Sequence, residues 1–179
     1  MRPLPASYPL ILLLLLGLLA ALPARAGSQV YLSPEQFLSE TFGGSVPKPA
    51  VLWITRPMQA ELAGILGHPP SQLRQRYWSD GQKTAWILEE IGKEEPITAG
   101  FVVGPDGRIT ASRVLIYRES RGMEVRYPAF LRQFNGAGLK ADRHLDRQVD
   151  GISGATLSVW AMERMARAAL YLTQQTRAK

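Results

Sequence analysis

Apolar residues recur at helical spacing in four parts of the chain. The first helix is predicted to begin at Pro34, because Ser33 can cap it and Gln36 completes a capping box, and to end at Gly43-Gly44. The last and longest is predicted to begin at Gly154 and to continue to about Gln175, with one apolar stripe. Two shorter helices are predicted over residues 58–66 and 127–134.

Short apolar runs between turn residues predict extended strands in the middle of the chain. These runs lie at residues 50–54, 76–78, 84–91, 97–103 and 108–118. Gly104-Pro105-Asp106-Gly107 predicts a tight hairpin between the last two. Residues 27–31 are interpreted as a short lead-in without structure of their own. The pattern predicts one α+β domain with an antiparallel sheet flanked by helices.

The first 26 residues are predicted to be a signal peptide. Arg2 precedes an almost wholly aliphatic run over residues 10–22, and Ala24-Arg25-Ala26 has the small-x-small pattern of a cleavage site. An uncleaved membrane anchor is the alternative. Export to the periplasm is the expected localisation, with residues 27–179 as the single mature domain. Loss of the two arginines of the leader lowers the net charge from +6 to +4, which is too mild to predict nucleic-acid binding.

The chain has no cysteine, and this excludes several kinds of redox centre. Disulfides, thiolate-ligated iron–sulfur clusters and covalent haem all need cysteine. His68 and His144 are the two histidines, and their spacing fits no zinc motif, so no metal site is predicted. No nucleophile–base pair or carboxylate dyad is recognised either, so no catalytic residue is assigned. Redox chemistry in this chain would need an organic cofactor.

Residues 150–158 (DGISGATLS) combine small residues with the start of the last helix. Gly151 and Gly154 permit unusual backbone angles and the close approach of a large ligand. Thr156 falls in the first helical turn, where unpaired backbone N–H groups and the helix dipole favour a phosphate. The alternative is structural, with Ser153 capping the helix and the glycines making its turn.

This segment resembles the flavinylation motif of the FMN-binding domain family, similar to the FMN-carrying subunits of Rnf/Nqr-type redox complexes. Asp150, Ser153, Gly154, Ala155, Thr156 and Ser158 all match that motif. The resemblance implies that FMN is joined to the Thr156 hydroxyl through a phosphoester, one per chain, by a flavin transferase. It also implies that Asp150 is part of what the transferase recognises.

A second and weaker match lies upstream. Glu119, Ser120 and Gly122 agree with a glycine-containing loop that lies beside the flavin in the family, whereas Glu124 stands where a second glycine is usual. A solvated loop is the alternative for these residues. The resemblance covers about residues 84–170, and residues 27–83 match no specific motif.

Two aromatic groups are open to a functional or a structural interpretation. Trp160 lies one helical turn beyond Thr156, so its ring could contact the flavin, or it could pack at the edge of a core. Arg74 and Arg76 beside Trp78 could bind an anion, or form a docking face for an acidic redox partner.

The resemblance implies an exported flavoprotein that carries electrons between redox partner proteins, either soluble or membrane-bound. Two alternatives stay open at this point. One is a non-redox binding or adaptor domain in which the motif only caps a helix. The other is an FMN-dependent reductase of a small molecule.

Overall fold

The computed structural model describes residues 28–177, so the predicted signal peptide lies outside the described residues. Its centre is a six-stranded antiparallel sheet with the strand order β1-β6-β5-β4-β3-β2. The strands are β1 (Gln29–Val30), β2 (Ala50–Trp53), β3 (Arg74–Ser79), β4 (Thr84–Ile91), β5 (Pro96–Val103) and β6 (Ile109–Tyr117). The predicted antiparallel sheet is confirmed.

Four α-helices accompany the sheet and confirm the α+β prediction. They are α1 (Pro34–Phe42), α2 (Arg56–Leu66), α3 (Pro128–Leu131) and α4 (Thr156–Arg177). Two 3-10 helices, Met123–Arg126 and Arg132–Phe134, flank α3. Within residues 28–177, no helix combines the length and the hydropathy that crossing a membrane requires.

Helix α1 begins as its sequence predicts. The Ser33 hydroxyl accepts from the Gln36 amide and the Gln36 side chain accepts from the Ser33 amide, which completes the capping box. Gly43 ends the helix in the left-handed conformation, at φ +61°. Each end of α1 is therefore determined by local chemistry.

Two details of the sequence prediction are wrong. Gln29–Val30, interpreted as lead-in, forms strand β1 and pairs with residues 116–117 of β6. Helix α4 begins at Thr156 rather than at Gly154, because Gly154 has a φ of +82° that an α-helix does not admit. Ser153 and Gly154 therefore form a turn before the helix.

The two faces of the sheet are covered unequally. Helices α2 and α4 bury the larger core on one face, where Trp86, Met162 and Met165 are inaccessible to solvent. The shorter α1 covers the other face and packs Phe37, Leu38 and Phe42 against strands β4 to β6. Because α4 spans the larger core, its first turn is held in a fixed position at one end of the sheet.

Candidate functional site

Thr156 is the first residue of α4, and its side chain is exposed. Ser158, two residues later, points to the opposite side of the helix and is buried. The helix therefore separates the two hydroxyls of the motif, one facing solvent and the other facing the core.

The first turn of α4 has no side-chain cap. The Ala155 carbonyl accepts the first helical hydrogen bond, from the Val159 amide at 2.9 Å, which places Ala155 at the cap position. Alanine has no side-chain oxygen to accept from the next amides. Among the described residues, no side chain accepts from the amides of Thr156, Leu157 or Ser158, and Ser153 does not act as the cap. The helix start is thus open to an anion.

The turn before α4 is built from backbone contacts. The Ala155 amide donates to the Ile152 carbonyl at 3.0 Å, and Gly154 takes the positive φ that this turn requires. Asp150 is exposed, and its amide donates to the Gln133 side chain at 2.7 Å. Ser153 is also exposed. Asp150, Ser153 and Thr156 are therefore accessible from solvent, whereas Ala155 is buried.

The upstream glycine loop packs directly against this helix start. A Cβ atom at Gly122 would lie 2.9 Å from the Ser158 hydroxyl, 2.9 Å from the Tyr117 hydroxyl and 3.2 Å from the Ala155 Cβ. Gly122 also has a φ of +83°, which favours glycine. The structure therefore brings the two sequence-predicted segments, 119–122 and 150–158, into contact, and glycine permits that contact.

Tyr117, which the sequence analysis did not single out, joins these two segments. Its hydroxyl donates to the Arg121 carbonyl and accepts from the Ser158 hydroxyl, the latter at 2.9 Å. Burial raises the pKa of the Tyr117 phenol, while the Ser158 hydrogen bond acts in the opposite direction. The phenol is thus a neutral, buried link between strand β6, the glycine loop and α4. The apolar setting of Tyr117 at a strand end was a sequence indication of burial, but not of its partner.

Glu119 faces away from the glycine contact. One of its carboxylate oxygens accepts from the amides of Lys93, Glu94 and Glu95, which form the β4–β5 turn. The carboxylate therefore holds that turn against the start of the glycine loop. Ser120 is exposed beside it.

Residues 92–171 match the family model of the FMN-binding domain. Over these residues the chain is similar to FMN-binding domains. The match supports a flavin-binding role and FMN as the cofactor. Its bounds are close to the range of about 84–170 over which the sequence resembles this family: the match begins eight residues later and ends at Tyr171. A search of curated proteins found no match. The matched range thus includes β5, β6, the glycine loop and most of α4. It excludes β1, α1, β2, α2, β3 and β4.

An open cleft of about 920 Å³ runs along the exposed side of α4, between this helix, the end of α2 and residues 140–148. Trp160 stands at this cleft with 51% of its surface exposed, so it is not a core residue. Helical spacing places Thr156, Trp160, Glu163 and Arg167 on this one side of the helix. The cleft is closed opposite α4 by residues 64–67 and 140–148.

Charged side chains of both signs lie at this cleft, and most of them are held in place by hydrogen bonds or ion pairs. Arg164 donates to the Glu90 carboxylate at 3.2 Å and to the Ile91 carbonyl at 3.1 Å. Arg167 donates to the Arg143 carbonyl, and burial lowers the pKa of its guanidinium. His68 contacts the same Glu90 at 3.0 Å, and its pKa is raised, first by the Pro69 carbonyl and then by Glu90. These groups hold the wall of the cleft in place.

The residues present fit FMN. The open helix start suits a phosphate, the exposed Trp160 suits stacking with a flat ring, and the cleft volume is in the range of small-molecule sites. Within the described residues, no cluster of three or more metal-ligating side chains occurs.

Proposed function

We propose that this chain is an exported electron-transfer flavoprotein in which FMN is attached to the Thr156 hydroxyl through a phosphoester. The observation that carries the proposal is an exposed threonine at an uncapped helix start, whose neighbours Ala155 and Ser158 lie against Gly122 of the glycine loop. Both segments fall within the range that matches the FMN-binding domain. When bound, FMN supplies one- or two-electron transfer.

The residues of the chain would position the FMN and set the polarity around it. Tyr117, Ser158 and Gly122 fix the helix start, so the Thr156 hydroxyl is presented in one place. The unpaired amides of the first turn stabilise the negative charge of the phosphoester. Trp160 offers a face against which the flavin ring can stack.

Attachment requires a flavin transferase as partner. Asp150 and Ser153 are exposed beside Thr156, so an enzyme can reach the acceptor and its flanking motif together. Electron transfer further requires redox partner proteins, and the predicted leader would bring the domain to the periplasm. The second candidate is an FMN-dependent reductase, which the open cleft beside Trp160 favours, because a small substrate could enter it.

Intact mass spectrometry tests the attachment. The exported protein is produced with and without a flavin transferase, and we expect a mass increment of one FMN less one water only with the enzyme. Peptide mapping should place the increment on Thr156, while Ser153→Ala, a matched change of a neighbouring exposed hydroxyl, retains it. An unmodified mass in the presence of the active transferase, or an adduct on Ser153, contradicts the proposal.

A second experiment separates the electron carrier from the reductase. A carrier, once reduced, should be oxidised by a partner protein and should not turn over small-molecule acceptors.

A further inference from the structure

One part of the sheet has no cover. Helix α1 has nine residues and is therefore about 13 Å long, so it reaches strands β4 to β6 and Trp78 but no residue of β2. As a result Val51 and Trp53 on β2 are 45% and 61% exposed. Within the described residues, no helix packs on these two side chains.

Two arginines lie beside these apolar side chains. In the β2–β3 register Val51 is opposite Arg76, and Trp53 is opposite Arg74. Strand alternation puts all four on the side of the sheet that α1 covers elsewhere, since Leu52 and Tyr77 pack in the opposite core. We call these four residues the β2–β3 outer face.

Within the described part of the chain, Arg74 and Arg76 form no ion pair, unlike Arg143 and Arg108. Arg143 pairs with Glu61 at 2.8 Å, and Arg108 pairs with Asp146 at 2.7 Å. Neither Arg74 nor Arg76 has a carboxylate within 4 Å among residues 28–177. The outer face therefore presents two positive charges that have no ion-pair partner among the described residues.

A cleft adjoins this face and makes it concave. Strand β3 pairs with β4 only through residues 77–79, and the first half of β3 diverges. There the Gln75 side chain donates to the Ile87 carbonyl at 3.1 Å in place of a backbone ladder. The resulting cleft of about 810 Å³ is bordered by Val51, Arg74 and Arg76, so a partner side chain can enter beside the two cations. Its lining also includes Glu35, Glu89 and Glu90, and two of these carboxylates are paired, Glu89 with Arg118 and Glu90 with Arg164.

We propose that the β2–β3 outer face is a docking surface for an acidic patch of a partner protein. Arginine forms bidentate hydrogen bonds with carboxylates, and tryptophan and arginine dominate the binding energy of protein interfaces. An anionic membrane is a less suitable partner. Each Lys or Arg contributes only about 1 kcal/mol to the free energy of binding an anionic membrane, and this face has only two such residues. The face lies outside residues 92–171, the range that matches the FMN-binding domain.

Binding of a defined peptide tests the proposal. The probe is a fluorescently labelled synthetic peptide in which glutamate alternates with leucine, titrated with the exported full chain. We expect binding that weakens with salt, and the Arg74→Glu/Arg76→Glu variant should bind at least about tenfold more weakly. Trp53→Ala should weaken binding by a smaller factor, on the order of threefold.

The matched control is Arg113→Glu/Arg132→Glu, which changes the net charge equally at two exposed arginines outside the outer face. This control should retain the affinity of the wild type to within about twofold. Equal loss in both double variants would reduce the effect to net charge and overturn the proposal, as would absence of peptide binding. Phosphatidylglycerol vesicles form the second arm: binding of vesicles but not of the peptide, abolished by Arg74→Glu/Arg76→Glu, would make the face a membrane contact instead.

Discussion

Helix α4 contains Thr156 in its first turn and Thr173 towards its other end, and these two hydroxyls have opposite surroundings. Thr173, in the last turns, is 1% exposed, accepts from the Trp86 indole at 2.7 Å and donates to the Ala169 carbonyl at 2.8 Å. Thr156, in the first turn, is exposed and has no hydrogen-bond partner among the described residues. The Thr173 hydroxyl therefore uses both its donor and its acceptor role within the fold, whereas the Thr156 hydroxyl uses neither.

This difference shows how the same residue type serves structure or chemistry. A buried hydroxyl with both hydrogen-bonding roles filled has no capacity for a new bond, and its removal leaves a partner unsatisfied. An exposed hydroxyl at a helix start contributes little to stability but can be reached by another protein. We therefore expect substitutions at the two ends to separate flavin attachment from stability.

The largest expected effect follows from Thr156→Val. The valine keeps the shape and β-branching of threonine and removes the oxygen that the phosphoester needs. We expect complete loss of covalent flavin, with a free energy of unfolding within about 1 kcal/mol of the wild type. The measurement is flavin fluorescence on the denatured polypeptide band after export together with the transferase.

Thr156→Ser completes this test, because it retains a hydroxyl with less restricted χ1. Attachment to serine should persist at a lower rate. A Thr156→Val band as bright as that of the wild type would show that another residue accepts the flavin. Thr156 would then have no special role to compare with that of Thr173.

Gly122→Ala should perturb both properties together. A methyl group there meets the Tyr117 and Ser158 hydroxyls at 2.9 Å and must adopt a φ of +83°. We expect a loss of about 3 kcal/mol in the free energy of unfolding and slower flavin attachment. Urea denaturation measures the first, and the time course of flavin loading measures the second. The control is Gly151→Ala, since a Cβ atom at Gly151 meets nothing within 4 Å; an equal loss in that control would show that the contact is unimportant.

Thr173→Val is the structural counterpart of Thr156→Val. It leaves the buried Trp86 indole N–H without an acceptor, so the free energy of unfolding should fall by about 2 kcal/mol. Flavin loading of the folded protein should be unchanged. Thermal unfolding and the flavin-to-protein absorbance ratio check the two halves. If Thr173→Val abolished loading in a folded protein, the two ends of α4 would not be independent.

The elements set by local chemistry were predictable from the sequence. The Ser33–Gln36 capping box fixes α1, and the Gly104–Gly107 hairpin fixes the register of β5 and β6. Local chemistry also accounts for Gly154, but its positive φ ends the turn before the helix rather than beginning the helix. The error of two residues arose because glycine permits either conformation.

The parts set by distant contacts were not predictable from local pattern. Strand β1 has two exposed residues and exists because β6 offers an unpaired edge. The Tyr117–Ser158 hydrogen bond joins residues 41 positions apart, and no spacing in the sequence indicates it. The resemblance did place residues 119–122 and 150–158 at one site, and the Gly122 contact agrees with that placement.

Tyr117→Phe tests whether the buried link helps to position the acceptor. The phenylalanine keeps the packing and removes the hydroxyl between Ser158 and the Arg121 carbonyl. We expect a loss of about 1 kcal/mol in stability and a flavin loading rate reduced several-fold. Ser158→Ala removes the other partner, and if the two act through one hydrogen bond, the double variant should be no slower than either single one. Additive rate losses would contradict a shared positioning role.

The smallest effect on stability is expected for Trp160→Leu. The indole is half exposed at the cleft, so its loss should change the free energy of unfolding by about 0.5 kcal/mol or less. Covalent loading should persist, because the Thr156 hydroxyl and the helix start are unchanged. If the indole stacks on the flavin, its removal should raise flavin fluorescence, since close aromatic contact quenches the excited ring. The same change should shift the reduction potential, because it alters the local polarity.

Trp53→Leu provides the matched control: this tryptophan is similarly exposed but lies on β2, outside the residues that match the FMN-binding domain. Steady-state fluorescence and spectroelectrochemistry of the fully loaded proteins measure both quantities. Equal values for the wild type and both variants would show that the exposed side of α4 beyond Thr156 does not contact the ring, and would confine the functional end of the helix to its first turn.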